Sequence, residues 1–368
     1  MAAVRPARAA AVAAVALGLF LLGGGVPAGE AAASSNFYYC QDGLVDTSTD
    51  DALANGSNCA FWLLGAFPSG GSDESELDQS SLPGLDVLPV WATTQGAGVT
   101  VAVLDTGVDP ASFDGQTNLL VGRNLYENSS DTSDQDGHGT LVASIIGAET
   151  GNGGYVGIAP QARLLPVKIM GGGSDGTRLS GRAAVAGIYY AIRRGARVIN
   201  CSFGSFGASM PGMAAALKAA AHADVLVVIA AGNEHASLDQ AGTLFAPDGA
   251  GLTNTVTVAN VAATSGRLSP GSNWGPRHVQ VASLGDYLYG DFPGSEDGGY
   301  LGGTSAAAAT VSGVAALLRA AFPHATAVQV ARAISQGSTP LAALHGKVGS
   351  GGLVSATGAL RVLAAELR

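Results

Sequence analysis

Charge is scarce in this chain: of its 368 residues, 12% are Asp, Glu, Lys or Arg, while 47% are hydrophobic. Disordered chains are built the other way round, so this composition demands a folded protein with large buried elements. The scarcer sign is positive, with 18 Lys and Arg against 28 Asp and Glu and a formal net charge of −10. No stretch beyond the N-terminus gathers Lys or Arg into a stripe, which argues against nucleic acid as a partner. Past the N-terminus no run is long and apolar enough to read as a membrane span. Internal repeats are missing too, and cysteine is rare, with three in the whole chain.

What the N-terminus does contain is an export pattern. Arg5 and Arg8 precede the uncharged apolar run Ala9–Val26, and Ala31-Ala32-Ala33 offers small residues for cleavage before Ser34, with Val26-Pro27-Ala28 as a second cleavage site. The competing reading is a retained anchor, for which the run is barely long enough. Residues 1–33 are expected to be a signal peptide, the protein secreted or extracytoplasmic, and the processed chain free of a stable membrane span. Residues 34–84 are polar, acidic and rich in Ser, Gly and Asp, and read as an N-terminal extension or a short pro-region. Export makes disulfide chemistry available there, and Cys40 and Cys59 are the expected pair. Cys201, in the apolar run Arg197-Val-Ile-Asn-Cys-Ser-Phe-Gly204, is expected to be a buried free thiol.

From about Leu85 the texture changes. Strands are predicted at Val99–Leu104, Leu164–Ile169, Arg197–Ser202, Val225–Ala230 and Thr255–Val261. Helices are predicted at His138–Gly147, Leu179–Arg194 and Met210–His222, and a long Ala-rich helix from Ser305 to Ala321, closed by Pro323. Continuously apolar strands separated by helices imply parallel crossovers. Residues 85–368 therefore read as a single α/β domain, a doubly wound, mostly parallel sheet with helices on both faces. In such a sheet functional groups collect at the carboxyl ends of the strands.

Three short segments each end on a residue suited to acid–base or nucleophilic work: Val-Leu-Asp105-Thr-Gly, Asp-Gly-His138-Gly-Thr and Gly-Gly-Thr-Ser305-Ala. A serine hydroxyl is a weak nucleophile near neutral pH and needs a base to take its proton. Histidine both accepts and returns a proton at working pH, and a carboxylate on its other ring nitrogen fixes the tautomer. Singly, each residue has a plainer reading: a turn or cap for Asp105, a helix start for His138 and for Ser305.

The flanking residues resemble the subtilisin-like serine proteases, the subtilases. The signature blocks are Val101-Ala-Val-Leu-Asp105-Thr-Gly-Val-Asp109, Asp136-Gly-His138-Gly-Thr-Leu-Val-Ala143 and Gly302-Gly-Thr-Ser305. Val156-Gly-Ile-Ala-Pro160, Val198–Gly204, Ala230-Ala-Gly-Asn233 and Gly352-Leu-Val-Ser-Ala356 carry the likeness between and beyond them. The resemblance implies a secreted serine endopeptidase acting through an acyl-enzyme. Ser305 would be the nucleophile, His138 the base and then acid, Asp105 its orienter, and Asn233 the side-chain donor to the oxyanion beside the Ser305 backbone N–H. It further implies that Ser202, Phe203 and Gly204 pair with an extended peptide or protein substrate. Ala230, Ala231 and Gly232 would line a pocket roomy enough for a large apolar side chain. Asp248, placed near the pocket base, would favour Lys or Arg; otherwise it is an ordinary loop carboxylate. No cofactor is required for the chemistry. A structural calcium would use Asp114 and, in the loop Glu149–Tyr155, Asn152. The chain is expected to act as a monomer.

Departures from the family pattern fall after the nucleophile. The run Ala306-Ala-Ala-Ala309-Thr310 lacks the usual Met and the Pro-His pair, and Leu141 stands where the family often has His. Between Ala33 and Leu85 there is too little chain for a globular pro-domain. These departures keep open a subtilase-fold binding or inhibitory protein with little turnover, and a transpeptidase or esterase using the same site.

Overall fold

The structure is a computed structural model that describes residues 37–40, 43–46, 84–150, 155–173, 176–207, 209–249, 251–262 and 265–368. The expected signal peptide, Cys59, Asn152 and most of the 34–84 segment lie outside the described residues. Within that segment Phe37–Cys40 and Gly43–Asp46 pair as an antiparallel hairpin.

Apolar β-branched runs become the strands β1 (Thr100–Asp105), β2 (Arg123–Asn124), β3 (Arg163–Lys168), β4 (Val198–Cys201), β5 (Leu226–Ala230), β6 (Thr255–Val261) and β7 (Val281–Leu284), with β8 (Thr339–Pro340) and β9 (Gly352–Leu353) at one edge. They form one nine-stranded sheet in the order β8-β9-β7-β6-β5-β4-β1-β3-β2. Every pairing is parallel except β8 with β9.

The helices α1 (His138–Gly147), α2 (Gly181–Arg193), α3 (Met213–His222), α4 (Thr304–Ala321), α5 (Ala327–Gln336) and α6 (Ala356–Glu366) cover both faces. Along β1, Val101 and Val103 join an apolar cluster with α1, α4, α5 and α6, while Ala102 and Leu104 join a second cluster with α2 and α3. Burial on both faces is why these strands are apolar at every position rather than at alternate ones. Leu85 and Val87 already belong to the first cluster.

Boundaries moved where capping decided them. Leu179 closes the hairpin Met170–Gly173/Gly176–Leu179, and α2 starts after it because the Ser180 hydroxyl accepts the Ala183 N–H. A turn at Pro211-Gly212 delays α3 to Met213. Among the described residues α4 is the one helix long and apolar enough to cross a membrane; 89% of it is buried inside the protein, as a core helix. Its far end is anchored by the buried Arg319, whose Nη1 and Nη2 donate to Oδ2 and the carbonyl of Asp224 at 3.1 and 2.7 Å.

Candidate active site

Three element ends meet at the carboxyl edge of the sheet. Asp105 is the last residue of β1, His138 the first of α1, and Ser305 the second of α4. Asp105 is fully buried, and its Oδ1 lies 2.7 Å from Nδ1 of His138, which is 15% exposed. The same Oδ1 accepts the Thr106 N–H at 2.7 Å, and the Thr106 hydroxyl accepts the Gly139 N–H at 2.9 Å. Strand end and helix start are thus bound to each other around the Asp–His pair.

Asp134, which the sequence reading passed over, holds the His138 turn. Its Oδ1 accepts the N–H groups of Asp136 and Gly137 at 3.0 and 2.9 Å, and its Oδ2 accepts the Thr140 N–H and hydroxyl at 2.9 and 2.8 Å. Asp134 lies three residues ahead of the N-cap Gly137, outside the positions at which a helix-start signal is read, so the converging donors alone reveal it. Asp136 accepts the His138 N–H at 3.2 Å, and its other oxygen accepts the Thr177 hydroxyl.

Burial works to lower the His138 pKa. The charge and hydrogen bond of Asp105, then the charges of Asp136 and Asp134, outweigh burial and raise it to about 9. An imidazole so placed is a base whose protonated form is stabilised, as general-base chemistry requires.

Ser305 is partly exposed within a buried stretch that includes Gly303, Thr304 and Ala306–Thr310. Its hydroxyl donates to the Ser202 carbonyl at 3.2 Å, and the Ser202 hydroxyl donates to the Ser305 carbonyl at 2.8 Å. Among the described residues no hydrogen bond joins His138 to Ser305. A buried relay steadies this pairing: Ser312 Oγ donates to Asn200 Oδ1 at 2.8 Å, and Asn200 Nδ2 donates to Ser202 Oγ at 2.9 Å. Asn200 was invisible as a site residue because it sits inside an apolar strand. The Ala run that replaces the usual Pro-His is fully buried from Ala306 to Ala309, so close helix packing accounts for the small residues there.

Asn233, just past β5, serves the start of α4 twice. Its Oδ1 accepts the Thr304 N–H and hydroxyl at 3.0 and 3.1 Å, which leaves Nδ2 as a donor. Gly303 before the helix has φ 89°, and a Cβ there would meet Asn233 Oδ1 at 3.0 Å, so glycine is needed on both counts. The Ser305 N–H belongs to the first turn of α4, whose donors lack intrahelical acceptors.

Of the expected substrate contacts, Ser202–Gly204 and Ala230–Gly232 leave β4 and β5 as neighbours, the strands pairing through Ile229 and Cys201. The ring of Phe245 lies beside both segments: a Cβ built on Gly204 would meet its Cε2 and Cζ at 2.8 Å, and one built on Gly232 would meet its Cε2 at 3.2 Å. Asp248 is a loop carboxylate 3.2 Å from His278 Nδ1. Cys201 is a free, fully buried thiol whose pKa burial pushes up. The backbone N–H of Glu149 donates to the Asp114 carbonyl at 2.9 Å, so the two segments expected to hold calcium are neighbours. Among the described residues no group of three or more His, Cys, Asp or Glu gathers around a metal position, so backbone carbonyls would have to complete such a site.

A family model described as the subtilase family matches residues 96–351. The major intracellular serine protease of Bacillus subtilis (strain 168) is 34% identical over 257 residues, 67% of this chain and 78% of that one. Thermitase of Thermoactinomyces vulgaris is 33% identical over 242 residues, 66% of this chain and 82% of that one. A solved protease of Pseudoalteromonas arctica superposes with a TM-score of 0.67 at 29% identity, covering 76% of this chain and 94% of that one.

Proposed function

This chain belongs to the subtilase family and is a serine endopeptidase, and from that premise we propose that Ser305, His138 and Asp105 are its catalytic triad and Asn233 its oxyanion donor. The observation that carries the assignment is the 2.7 Å contact between buried Asp105 and His138 Nδ1, which leaves Nε2 to serve the nucleophile.

In the first step the Ser305 hydroxyl turns from the Ser202 carbonyl and gives its proton to His138 Nε2. Its oxygen bonds to the carbonyl carbon of the scissile peptide. The resulting oxyanion is held by Asn233 Nδ2 and the Ser305 N–H, at the positive end of α4. Collapse breaks the carbon–nitrogen bond, and the departing amine takes the proton from His138. Water, deprotonated by the same imidazole, then attacks the acyl carbon; the ester bond to Ser305 breaks and its oxygen takes the proton back from His138. Ser202–Gly204 receive the substrate as an added strand, with main-chain hydrogen bonds supplying affinity.

We further propose that the enzyme is exported, on the strength of the Arg5/Arg8 and Ala9–Val26 pattern. A fluorophosphonate probe tests the site. Labelling at Ser305 that disappears in His138→Ala supports the triad; a folded protein that takes up no label supports the reading in which this fold binds without turnover.

A further inference from the structure

We propose that Phe245 closes the specificity pocket, so that this protease cleaves after small residues, Ala, Gly or Ser, rather than after large apolar ones. The inference rests on the peptidase reading above and deepens it.

The space in question is bounded by two chain segments and the nucleophile. Ser202–Gly204 continues from β4 and Ala230–Gly232 from β5, adjacent parallel strands. Both are tied to the start of α4, Ser202 through its carbonyl to the Ser305 hydroxyl and Gly232 through its N–H to the Thr304 hydroxyl at 3.1 Å. A peptide laid along Ser202–Gly204 with its carbonyl at Ser305 therefore points the side chain preceding the scissile bond between these two segments.

Phe245 already stands there. Phe245–Ala246 pairs antiparallel with Ser205–Phe206, and the Gly207 N–H donates to the Leu244 carbonyl at 2.8 Å. This bridge fixes the ring's approach from the far side of the pocket. A methyl group built on Gly204 would meet the ring at Cε2 and Cζ, both at 2.8 Å. One built on Gly232 would meet the same Cε2 at 3.2 Å. A single ring edge thus touches both walls. Phe245 also packs against both apolar clusters of the core, which holds the ring in place. Interiors are close-packed, so a substrate phenyl or leucyl group cannot share the space, whereas a hydrogen, methyl or hydroxymethyl needs little of it. Glycine at 204 is the counterpart of the aromatic at 245, because a side chain there would collide with the ring, whereas at Gly232 a side chain would first meet Asn273 Nδ2 and Glu234 Oε2, both at 2.6 Å.

The test is a peptide series varied only at the residue before the cleaved bond, assayed on the wild type, Phe245→Leu and Phe245→Ala. Each variant is also titrated with the fluorophosphonate probe to count competent Ser305. Wild type should favour Ala over Phe in kcat/KM per labelled site by at least about tenfold. Phe245→Ala should shift that ratio toward Phe by at least about tenfold, with Phe245→Leu between them. Should Phe245→Ala fail to fold, Phe245→Leu carries the comparison. Equal cleavage after Ala and Phe by the wild type, or an unchanged ratio in labelled variants, overturns the proposal and leaves the peptidase reading intact. Protein that neither labels nor hydrolyses any peptide overturns both.

Discussion

The side-chain oxygen of Asn233 accepts two hydrogen bonds from Thr304, one from its backbone N–H at 3.0 Å and one from its hydroxyl at 3.1 Å. Because the backbone N–H is only a donor, the amide cannot be turned over, and Nδ2 must face away from the helix. The proposed donor for the oxyanion is therefore oriented by the same helix that carries Ser305. Asn233→Ala should lower kcat by about 10²–10³, the scale such a loss has in subtilisin, with KM little changed. Steady-state kinetics on a peptide substrate decide it; an unchanged kcat removes Asn233 from the mechanism.

Asp105→Asn keeps the shape of the buried group but reverses its preference for the His138 tautomer. The expected loss in kcat is about 10⁴-fold, comparable to that of the same position in subtilisin. Retention of more than about a tenth of wild-type kcat would show that Asp105 does not orient the base.

The pH profile follows from the charges around His138. Burial opposes protonation, but Asp105, Asp136 and Asp134 together raise the pKa from 6.5 to about 9. The protonated imidazole cannot accept the Ser305 proton. Activity should therefore rise with pH through this ionisation, and the acidic limb of kcat/KM should lie alkaline of 6.5. Asp136→Asn removes one raising charge and should move the limb to lower pH. A wild-type limb at or below 6.5, or one that Asp136→Asn leaves in place, contradicts this account.

Arg319 tests the packing of α4. Its side chain is 1% exposed and bonds Asp224 through Oδ2 and the main-chain carbonyl. Arg319→Leu removes these bonds and takes the donor from the Asp224 carbonyl, while Arg197 still reaches Asp224 Oδ2 at 3.4 Å. A loss of about 3 kcal/mol is expected in urea unfolding, measured on a Ser305→Ala background to prevent autolysis. A change below about 0.5 kcal/mol would mean that the guanidinium anchors nothing.

Calcium, if held by Asp114 and the Glu149–Tyr155 loop, would staple two neighbouring segments near the end of α1. Chelation should then lower the melting temperature, and Asp114→Ala should abolish that sensitivity. A melting temperature indifferent to chelator removes the ion from the description.

The sequence by itself determined the layers and pointed to the residues proposed to react. Apolar β-branched runs gave parallel strands, and Asp105, His138 and Ser305 were legible because each sits at a strand end or helix start, where a few neighbouring residues set the local geometry. Asn233 was singled out by the resemblance of Ala230-Ala-Gly-Asn233 to a family block, since locally it reads as a cap or turn. Tertiary structure alone decided the rest, since it depends on segments far apart in the chain. Asn200 reaches Ser312 across 112 residues, and Asp134 matters only because four donors converge on it. Phe245 carries no motif, yet a two-residue bridge to Ser205–Phe206 sets its ring against Gly204 and Gly232. Short local motifs carry the proposed chemistry because neighbouring residues set their geometry, while the proposed limit on side-chain size beside Ser305 rests on long-range packing, which no local pattern encodes.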